Sequence, residues 1–203
     1  MRKANLPLLL IYSRLVLGLL VVPLSLLDVP HFPAIALGFL GFGLVSDFFD
    51  GYIARHLGVS TERLRRLDST IDVVFFLGIG VATIIRCPDF LLREKALPVM
   101  ILVVAEAMTY AVSYSRFQRE VATHSIGAKI WTLFLFATLV ELLLHCRSGI
   151  LFEITFWLGL VTRLEIAAIL LVLRNWTTDV PSVWHALQLR KGRTIKRHKF
   201  FNG

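Results

Sequence analysis

The sequence has little charge and almost no cysteine. Only 18% of its 203 residues are charged, whereas 56% are hydrophobic and the mean hydropathy is +0.71. Soluble domains are usually only about 45–50% apolar. No cluster of cysteine or histidine has the spacing of zinc ligands. The composition therefore excludes an ordinary soluble domain and a zinc fold, and it favours a protein of the lipid bilayer.

Internal repeats, low-complexity segments and soluble domains are also missing. We therefore predict one membrane-embedded domain over 1–203, with a basic C-terminal tail from about residue 175. The only cysteines, Cys87 and Cys146, fall at predicted non-cytoplasmic helix ends. A disulfide is chemically permitted there, but two thiols without a bond are the favoured expectation.

Six apolar runs are present, each long enough to cross a hydrocarbon core of about 30 Å as a helix. The runs are 7–27, 32–54, 69–86, 97–114, 127–146 and 150–173. No A-x-A-like cleavage site follows the first run, so it is predicted to remain a helix rather than to act as a signal peptide. The predicted fold class is all-α, a polytopic membrane protein with six transmembrane helices.

Lys and Arg are distributed unevenly along this six-helix plan. Most of the 22 lie at the two ends and in the second and fourth loops, and cytoplasmic loops are enriched in these residues. Both termini are therefore predicted to be cytoplasmic. The basic stretch of the tail, from Arg190 to Lys199, is followed directly by Phe200 and Phe201. It is expected to attract anionic lipid headgroups rather than nucleic acid, and a simply solvated tail remains open.

Four aspartates surround the predicted cytoplasmic ends of the second and third helices. Asp47 and Asp50 are three residues apart and Asp68 and Asp72 four apart, so each pair shares a helix face. If the loop around Gly58 turns the chain back, the two faces oppose each other. Four clustered carboxylates repel one another unless cations neutralise them. Mg²⁺ is the first expected cation, with Mn²⁺ or Ca²⁺ next.

Small and basic residues accompany the aspartates. Gly51 and Ala54 share the stripe of Asp47, and Arg55 offers a planar fork for phosphate oxygens. Together they favour a diphosphate-bearing lipid as substrate. Each feature has a simpler interpretation, because Asp68 is a suitable N-cap and small residues at this spacing often only pack helices.

The spacing of these residues resembles the signature of the CDP-alcohol phosphotransferase (CDP-alcohol phosphatidyltransferase) family. That signature reads D-x-x-D-G-x-x-A-R, eight residues, G, three residues, D, three residues, D. It corresponds here to Asp47, Asp50, Gly51, Ala54, Arg55, Leu64, Asp68 and Asp72, with Leu64 in place of the second glycine. The opening NLPLLLIYSR is similar to that of bacterial members, and HSIGAKIWT resembles the start of the family's fifth helix. The chain is thus identified as a member similar to bacterial phosphatidylglycerophosphate synthases.

The resemblance implies roles for the signature residues. Asp47, Asp50 and Asp68 are expected to bind two Mg²⁺ ions, or Mn²⁺, and Asp72 to act as general base while also touching the metal site. The CDP-lipid site is expected to be lined by Gly51, Ala54, Arg55 and Leu64. A leucine four residues before Asp68 lies on the same helix face and narrows the space for the nucleotide.

The resemblance also implies a reaction and a location. The chain is expected to transfer a phosphatidyl group from CDP-diacylglycerol to a small alcohol, with glycerol 3-phosphate as first candidate, and to release CMP. It is expected to act in phospholipid synthesis as a homodimer in the bacterial inner membrane, with its active site facing the cytoplasm. Membrane lipids are expected partners and nucleic acid is not.

The acceptor site is predicted from cations alone. Lys129 is preferred because a charge inside a membrane helix needs a reason, although snorkelling to the interface explains it equally well. Arg116 and Arg119 are the other candidates. Arg14 is expected either to snorkel or to help hold the active-site helices. Structural pairs with partners on other helices are expected for Glu106, Tyr110, Glu141, Glu153, Arg163 and Glu165.

Two further functions stay open. The first is that of a degenerate family member, disabled by Leu64, which binds the CDP-lipid without turnover. An ion-coupled carrier would use the acidic cluster as an ion site, but carriers typically place broken helices at the midplane within repeats, and this chain has its cluster at one face and no repeat.

Overall fold

The computed structural model describes residues 5–27, 29–121, 125–178 and 180–193. These residues form seven α-helices and one short π-helical segment, with no strand among them. The helices are α1 Asn5–Leu26, α2 Phe32–His56, α3 Glu62–Arg86, α4 Ala96–Phe117, α5 Ile126–His145, α6 Ile150–Val172 and α7 Val183–Arg190, and the π-helical segment is Asp89–Glu94. The all-α prediction is confirmed.

Six of the described helices, α1 to α6, are long and apolar enough to cross a membrane. The prediction of six transmembrane helices is therefore confirmed, whereas the placement of the termini in the cytoplasm stays a prediction. Helix α7 was not predicted and, with eight residues, is too short to span a bilayer. Part of the predicted basic tail, residues 194–203, lies outside the described residues.

Helix α3 begins earlier than its apolar run. Its N-cap is Thr61, whose side-chain oxygen accepts a hydrogen bond of 3.2 Å from the backbone N–H of Leu64. The stretch after Thr61 is too charged to be included in an apolar run, but it is rich in residues that favour a helix. Asp68 therefore lies inside the helix and is not its cap. Before it, Gly58 adopts a left-handed φ of 67° just after α2 ends, which suits glycine at the turn between the helices.

The chain divides into two compact units, which are described separately. The first comprises Met1–Glu94 and Leu139–Arg147, and the second comprises Lys95–Thr138 and Ser148–Gly203. Helix α5 contributes a part to each unit. A single domain over 1–203 stays a prediction.

In the first unit, α1 packs against α2 and α3, and the backbones of α1 and α3 lie very close to each other at Gly18 and Gly78. A Cβ added to Gly78 would lie 2.0 Å from the carbonyl oxygen of Gly18, and one added to Gly18 would lie 2.7 Å from the Cα of Phe75. Gly43 of α2 leaves room for the Phe75 ring in the same way. Small residues thus let the three helices approach closely, about one helical turn from Arg14 and Asp72.

A disulfide joins Cys87, just after α3, to Cys146, just after α5, within the first unit. The Cα atoms of the two residues are 5.1 Å apart. The expectation of two unbonded thiols is therefore wrong. The sequence alone did not reveal the disulfide, because the two cysteines are 59 positions apart and only the helix arrangement brings them together.

In the second unit, α6 packs against α4 and α7. Arg163 of α6 forms an ion pair with Glu106 of α4, and its guanidinium lies 4.3 Å from the ring centroid of Trp131. Lys95 Nζ lies 2.5 Å from the carboxylate of Glu153. The expectation that Arg163 finds its partner on another helix is confirmed. A small core joins α6 to α7 through Ile169, Leu173, Val180 and Ala186.

Candidate active site

The side chain of Arg14 lies among the four aspartates of the signature. Its Nη1 donates to Asp47 Oδ1 at 3.1 Å and also to Asp72 Oδ1. Its Nη2 donates to Asp68 Oδ1 at 2.5 Å and also to Asp50 Oδ2. The structure therefore brings together all four aspartates that the sequence predicted to cluster. We call these four residues and Arg14 the acidic cluster.

Three helices position the acidic cluster. Arg14 comes from the middle of α1, Asp47 and Asp50 from the last turns of α2, and Asp68 and Asp72 from the first turns of α3. The spacings of three and four residues place each pair on one helix face, as predicted. The turn at Gly58 then lets the two faces meet around the Arg14 guanidinium.

The acidic cluster has a closed side and an open side. The side chains of Arg14 and Asp50 are 1% and 2% exposed, whereas Asp68 and Asp72 are 28% and 27% exposed and Asp47 is 48% exposed. A substrate therefore has access to Asp47, Asp68 and Asp72, whereas Asp50 lies at the buried side of the site.

The charges of the acidic cluster do not balance. Four carboxylates face one guanidinium, so the ionised cluster keeps an excess of negative charge. Carboxylates at such short separations repel strongly in a partly buried site. The arrangement is electrostatically suited to bind additional cations.

The donor set fits a divalent cation. One ligand oxygen each from Asp47, Asp50 and Asp68 lie within 4.8 Å of one another. Oxygens on opposite sides of one ion are about 4.2 Å apart for Mg²⁺ and about 5 Å apart for Ca²⁺, twice the usual metal–oxygen distances. Oxygen donors are those that hard divalent ions prefer. The three carboxylates are thus spaced suitably for such an ion. For Mg²⁺ their oxygens would have to move slightly closer together.

The residues predicted to line the CDP-lipid site occupy different environments. The Arg55 side chain is exposed and folds back over Gly51, so that a Cβ on Gly51 would lie 3.2 Å from Arg55 Nη1. Ala54 is buried and offers little surface to a ligand. Leu64 is half-buried in the first turn of α3, one turn before Asp68.

The three predicted acceptor-binding residues all belong to the second unit. Arg116 donates to the carbonyls of Leu170, Leu171 and Leu173 at the end of α6. A cation there satisfies carbonyls that the helix leaves unpaired.

Arg119 and Lys129 have other surroundings. The guanidinium of Arg119 lies 4.9 Å from the ring centroid of Trp176. Lys129 lies in the first turn of α5, where it is half-buried. Acceptor binding by these residues stays a prediction.

Arg14 is the one residue of the acidic cluster to which the sequence assigned no definite role. Snorkelling is excluded by its burial and by its contacts with four carboxylates. Its signal was a lone cation in the middle of the first apolar run, in register with the arginine of the bacterial opening motif. Such a cation needs a partner, but the sequence did not show which one.

Comparison with known protein families gives a match over most of the chain. A family model described as CDP-alcohol phosphatidyltransferase matches residues 4–170. The matched region contains the whole acidic cluster and ends within α6. No curated protein and no solved structure matches the chain significantly.

Proposed function

Because the chain belongs to the CDP-alcohol phosphatidyltransferase family, we propose that it transfers a phosphatidyl group from CDP-diacylglycerol to the hydroxyl of a small alcohol, releasing CMP. The observation that carries this proposal is the convergence of Asp47, Asp50, Asp68 and Asp72 at one accessible site. The family suggests phosphatidyl transfer from a CDP-alcohol, and the residues at the site fit that chemistry.

Asp47, Asp50 and Asp68 would hold Mg²⁺ ions, two by family resemblance, or Mn²⁺, with Asp72 at the edge of the metal site. When bound, the metal supplies Lewis-acid stabilisation of the charge on the diphosphate and on the leaving CMP. Arg55, exposed beside Gly51, binds the diphosphate oxygens through its planar fork. Ala54 and Leu64 shape the nucleotide side of the site.

Asp72 is the general base in this proposal. Its carboxylate is accessible and accepts the proton of the acceptor hydroxyl. The acceptor oxygen forms a bond to the lipid-bearing phosphorus while the bond from that phosphorus to the CMP oxygen breaks. The bonding electron pair leaves with CMP, so atoms and charge balance. Positioning and electrostatics supply most of the rate, as in other phosphoryl transfers.

Glycerol 3-phosphate is the first candidate acceptor, which would make the chain similar to a phosphatidylglycerophosphate synthase. Lys129 is the first choice for binding the acceptor phosphate, and Arg116 and Arg119 are the other candidates. Replacing Lys129 with Ala is expected to raise the KM for glycerol 3-phosphate and to leave the KM for the CDP-lipid unchanged.

The proposed setting is the bacterial inner membrane, with a homodimer and a cytoplasmic active site. The Cys87–Cys146 disulfide supports this orientation, because disulfides persist in oxidising compartments. Cys87 follows the end of α3, whereas Asp68 and Asp72 lie near its start. A membrane-spanning α3 with its end outside therefore has its aspartates at the cytoplasmic side.

The decisive experiment measures CMP release from CDP-diacylglycerol by the purified protein in proteoliposomes. Glycerol 3-phosphate, inositol, serine and glycerol are supplied in turn, with Mg²⁺ or with EDTA. We expect CMP release that requires one of these alcohols and Mg²⁺, and that the Asp72→Asn variant lacks. Binding of the CDP-lipid without CMP release under every condition would favour the non-catalytic member that Leu64 suggests, and ion flux without CMP release would favour a carrier.

A further inference from the structure

The acidic cluster contains a cation that belongs to the chain itself. The Arg14 guanidinium contacts all four signature aspartates, and its side chain is 1% exposed. Each aspartate predicted to bind metal thus already accepts a hydrogen bond from Arg14 through one of its oxygens. A metal ion in the site proposed above would therefore share these carboxylates with Arg14, and the role of Arg14 argued from this sharing rests on that proposed site.

The contacts of Arg14 indicate what holds it in place. Its two terminal nitrogens make every contact with the carboxylates, whereas its buried Nε has no hydrogen-bond partner. A buried donor without a partner is unfavourable. The pocket is therefore not fitted to arginine as a whole, and the negative charge of the carboxylates is what retains the guanidinium.

A divalent ion would need the same carboxylates. Asp47, Asp50 and Asp68 all contact Arg14, and one ligand oxygen from each lies within 4.8 Å of the other two. Two cations bound to these three carboxylates at contact distance repel each other strongly. Binding of the metal therefore has to weaken or displace the contacts of the guanidinium.

We propose that Arg14 is an internal counter-cation of the acidic cluster and competes with the divalent metal for its carboxylates. In the absence of metal, Arg14 offsets the repulsion between α2 and α3 and keeps the aspartates together. In the presence of metal, it lowers the apparent metal affinity. Arg14 is thus a positioning residue that sets how much metal the protein needs.

The test measures Mn²⁺ binding by electron paramagnetic resonance. The purified protein of 203 residues is placed in nanodiscs without CDP-lipid. Arg14→Gln removes the competing charge and keeps a shorter, polar side chain. We expect the Kd for Mn²⁺ to fall by at least about tenfold, because a unit charge a few ångströms away changes an affinity by more than that in a partly buried site. An unchanged or weaker Mn²⁺ affinity would overturn the proposal.

Thermal unfolding gives a second readout that an ordinary structural role would not produce. In EDTA, Arg14→Gln should unfold at a lower temperature than the wild type. Added Mg²⁺ should raise its Tm by more than it raises the Tm of the wild type, since the stabilisation by a ligand at a given concentration increases as its Kd falls. Equal responses to Mg²⁺ in the two proteins would contradict the competition.

Arg163→Gln is the matched control. Arg163, whose side chain is 12% exposed, is also an arginine paired with a carboxylate in a membrane helix, but its partner is Glu106. Its loss should lower the Tm equally with and without Mg²⁺ and leave the Kd for Mn²⁺ unchanged. A change in Mn²⁺ affinity as large as that of Arg14→Gln would mean that loss of any paired arginine in these helices causes the effect, which overturns the assignment to Arg14.

Arg14→Lys keeps the test decisive if Arg14→Gln does not fold. Lysine retains the charge but is a point charge without the forked guanidinium, so it cannot bridge four carboxylates. Mn²⁺ should then bind to Arg14→Lys more tightly than to the wild type. Unchanged or weaker binding would contradict the proposal.

The outcomes separate this inference from the proposed function. If neither the wild type nor Arg14→Gln binds Mn²⁺, the competition fails, and CMP release in EDTA would then show a transferase that works without this metal site. If Arg14→Gln binds Mn²⁺ more tightly but no alcohol elicits CMP release, the counter-cation role stands and the transferase proposal fails. Asp68→Asn, which should weaken Mn²⁺ binding, confirms that the ion occupies the acidic cluster.

Discussion

Gly78 of α3 lies against the backbone of Gly18 of α1, so closely that a Cβ on Gly78 would come within 2.0 Å of the Gly18 carbonyl oxygen. The contact is one to two turns from Arg14 on α1 and from Asp72 on α3. It therefore sets the distance at which the arginine of one helix meets the carboxylates of the other.

Gly78→Ala should consequently push α1 away from α3. We expect a large loss of thermal stability and of CMP release, because the clash is with backbone, which cannot move aside as a flexible side chain can. Gly80→Ala is the matched control, since a Cβ at Gly80 meets no atom within 4 Å and alanine is the better helix former. The control should be neutral or slightly stabilising, and equal effects of the two variants would contradict the contact.

Asp72→Asn should abolish transfer while the protein stays folded. The amide cannot accept the proton of the hydroxyl, and general-base catalysis contributes about 10²–10⁴-fold. CMP release from proteoliposomes and the Tm of the same preparation are the two measurements. Turnover above about a tenth of the wild-type rate would rule out the assigned role, since the smallest expected effect is about 10²-fold.

Leu64→Gly tests the departure from the family signature. Leu64 lies one turn before Asp68, so its side chain is expected to occupy space that glycine leaves for the nucleotide. The variant should show a lower KM for the CDP-lipid or a higher turnover, although glycine in a helix costs about 1 kcal/mol of stability. Leu77→Gly, at a side chain 57% exposed on the same helix, should show only the loss of stability. If both variants behave alike, Leu64 is a packing residue.

Replacing Cys87 and Cys146 with serine should lower the Tm by several degrees. A disulfide closing a loop of this length typically contributes about 2–4 kcal/mol by restricting the unfolded chain. Dithiothreitol should destabilise the wild type by a similar amount and have no effect on the double variant. A wild type insensitive to the reductant would count against a structural disulfide.

Cysteine labelling tests the orientation of the helices. Because the native cysteines are bonded to each other, single cysteines introduced at Glu62, Phe117 or Asp89 react alone with an impermeant maleimide in the absence of reductant. Positions 62 and 117 should be labelled only from the cytoplasmic side and position 89 only from outside. Labelling of positions 62 and 89 from the same side would overturn the six-helix orientation.

Six membrane helices could be predicted from the amino-acid pattern alone, because runs of apolar residues of this length have few other stable states. The pattern also showed that Asp47 and Asp50 share one helix face and that Asp68 and Asp72 share another, because helical periodicity fixes which residues share a face. The start of α3 was missed, since hydropathy does not register a charged but helix-forming first turn. Helix α7 was missed because a short helix without a long apolar run has no distinctive pattern.

Contacts between residues distant in the sequence could not be predicted from the sequence and are seen only in the folded structure. Arg14 meets Asp72 across 58 positions, and Cys87 meets Cys146 across 59. Arg14 reaches Asp72 because α1 and α3 approach closely at Gly18 and Gly78. The disulfide forms because the ends of α3 and α5 meet in the first unit. A side chain's type and period are local properties that the sequence contains. The partner of a buried charge depends on the distance between helices, which arises only when the whole unit packs.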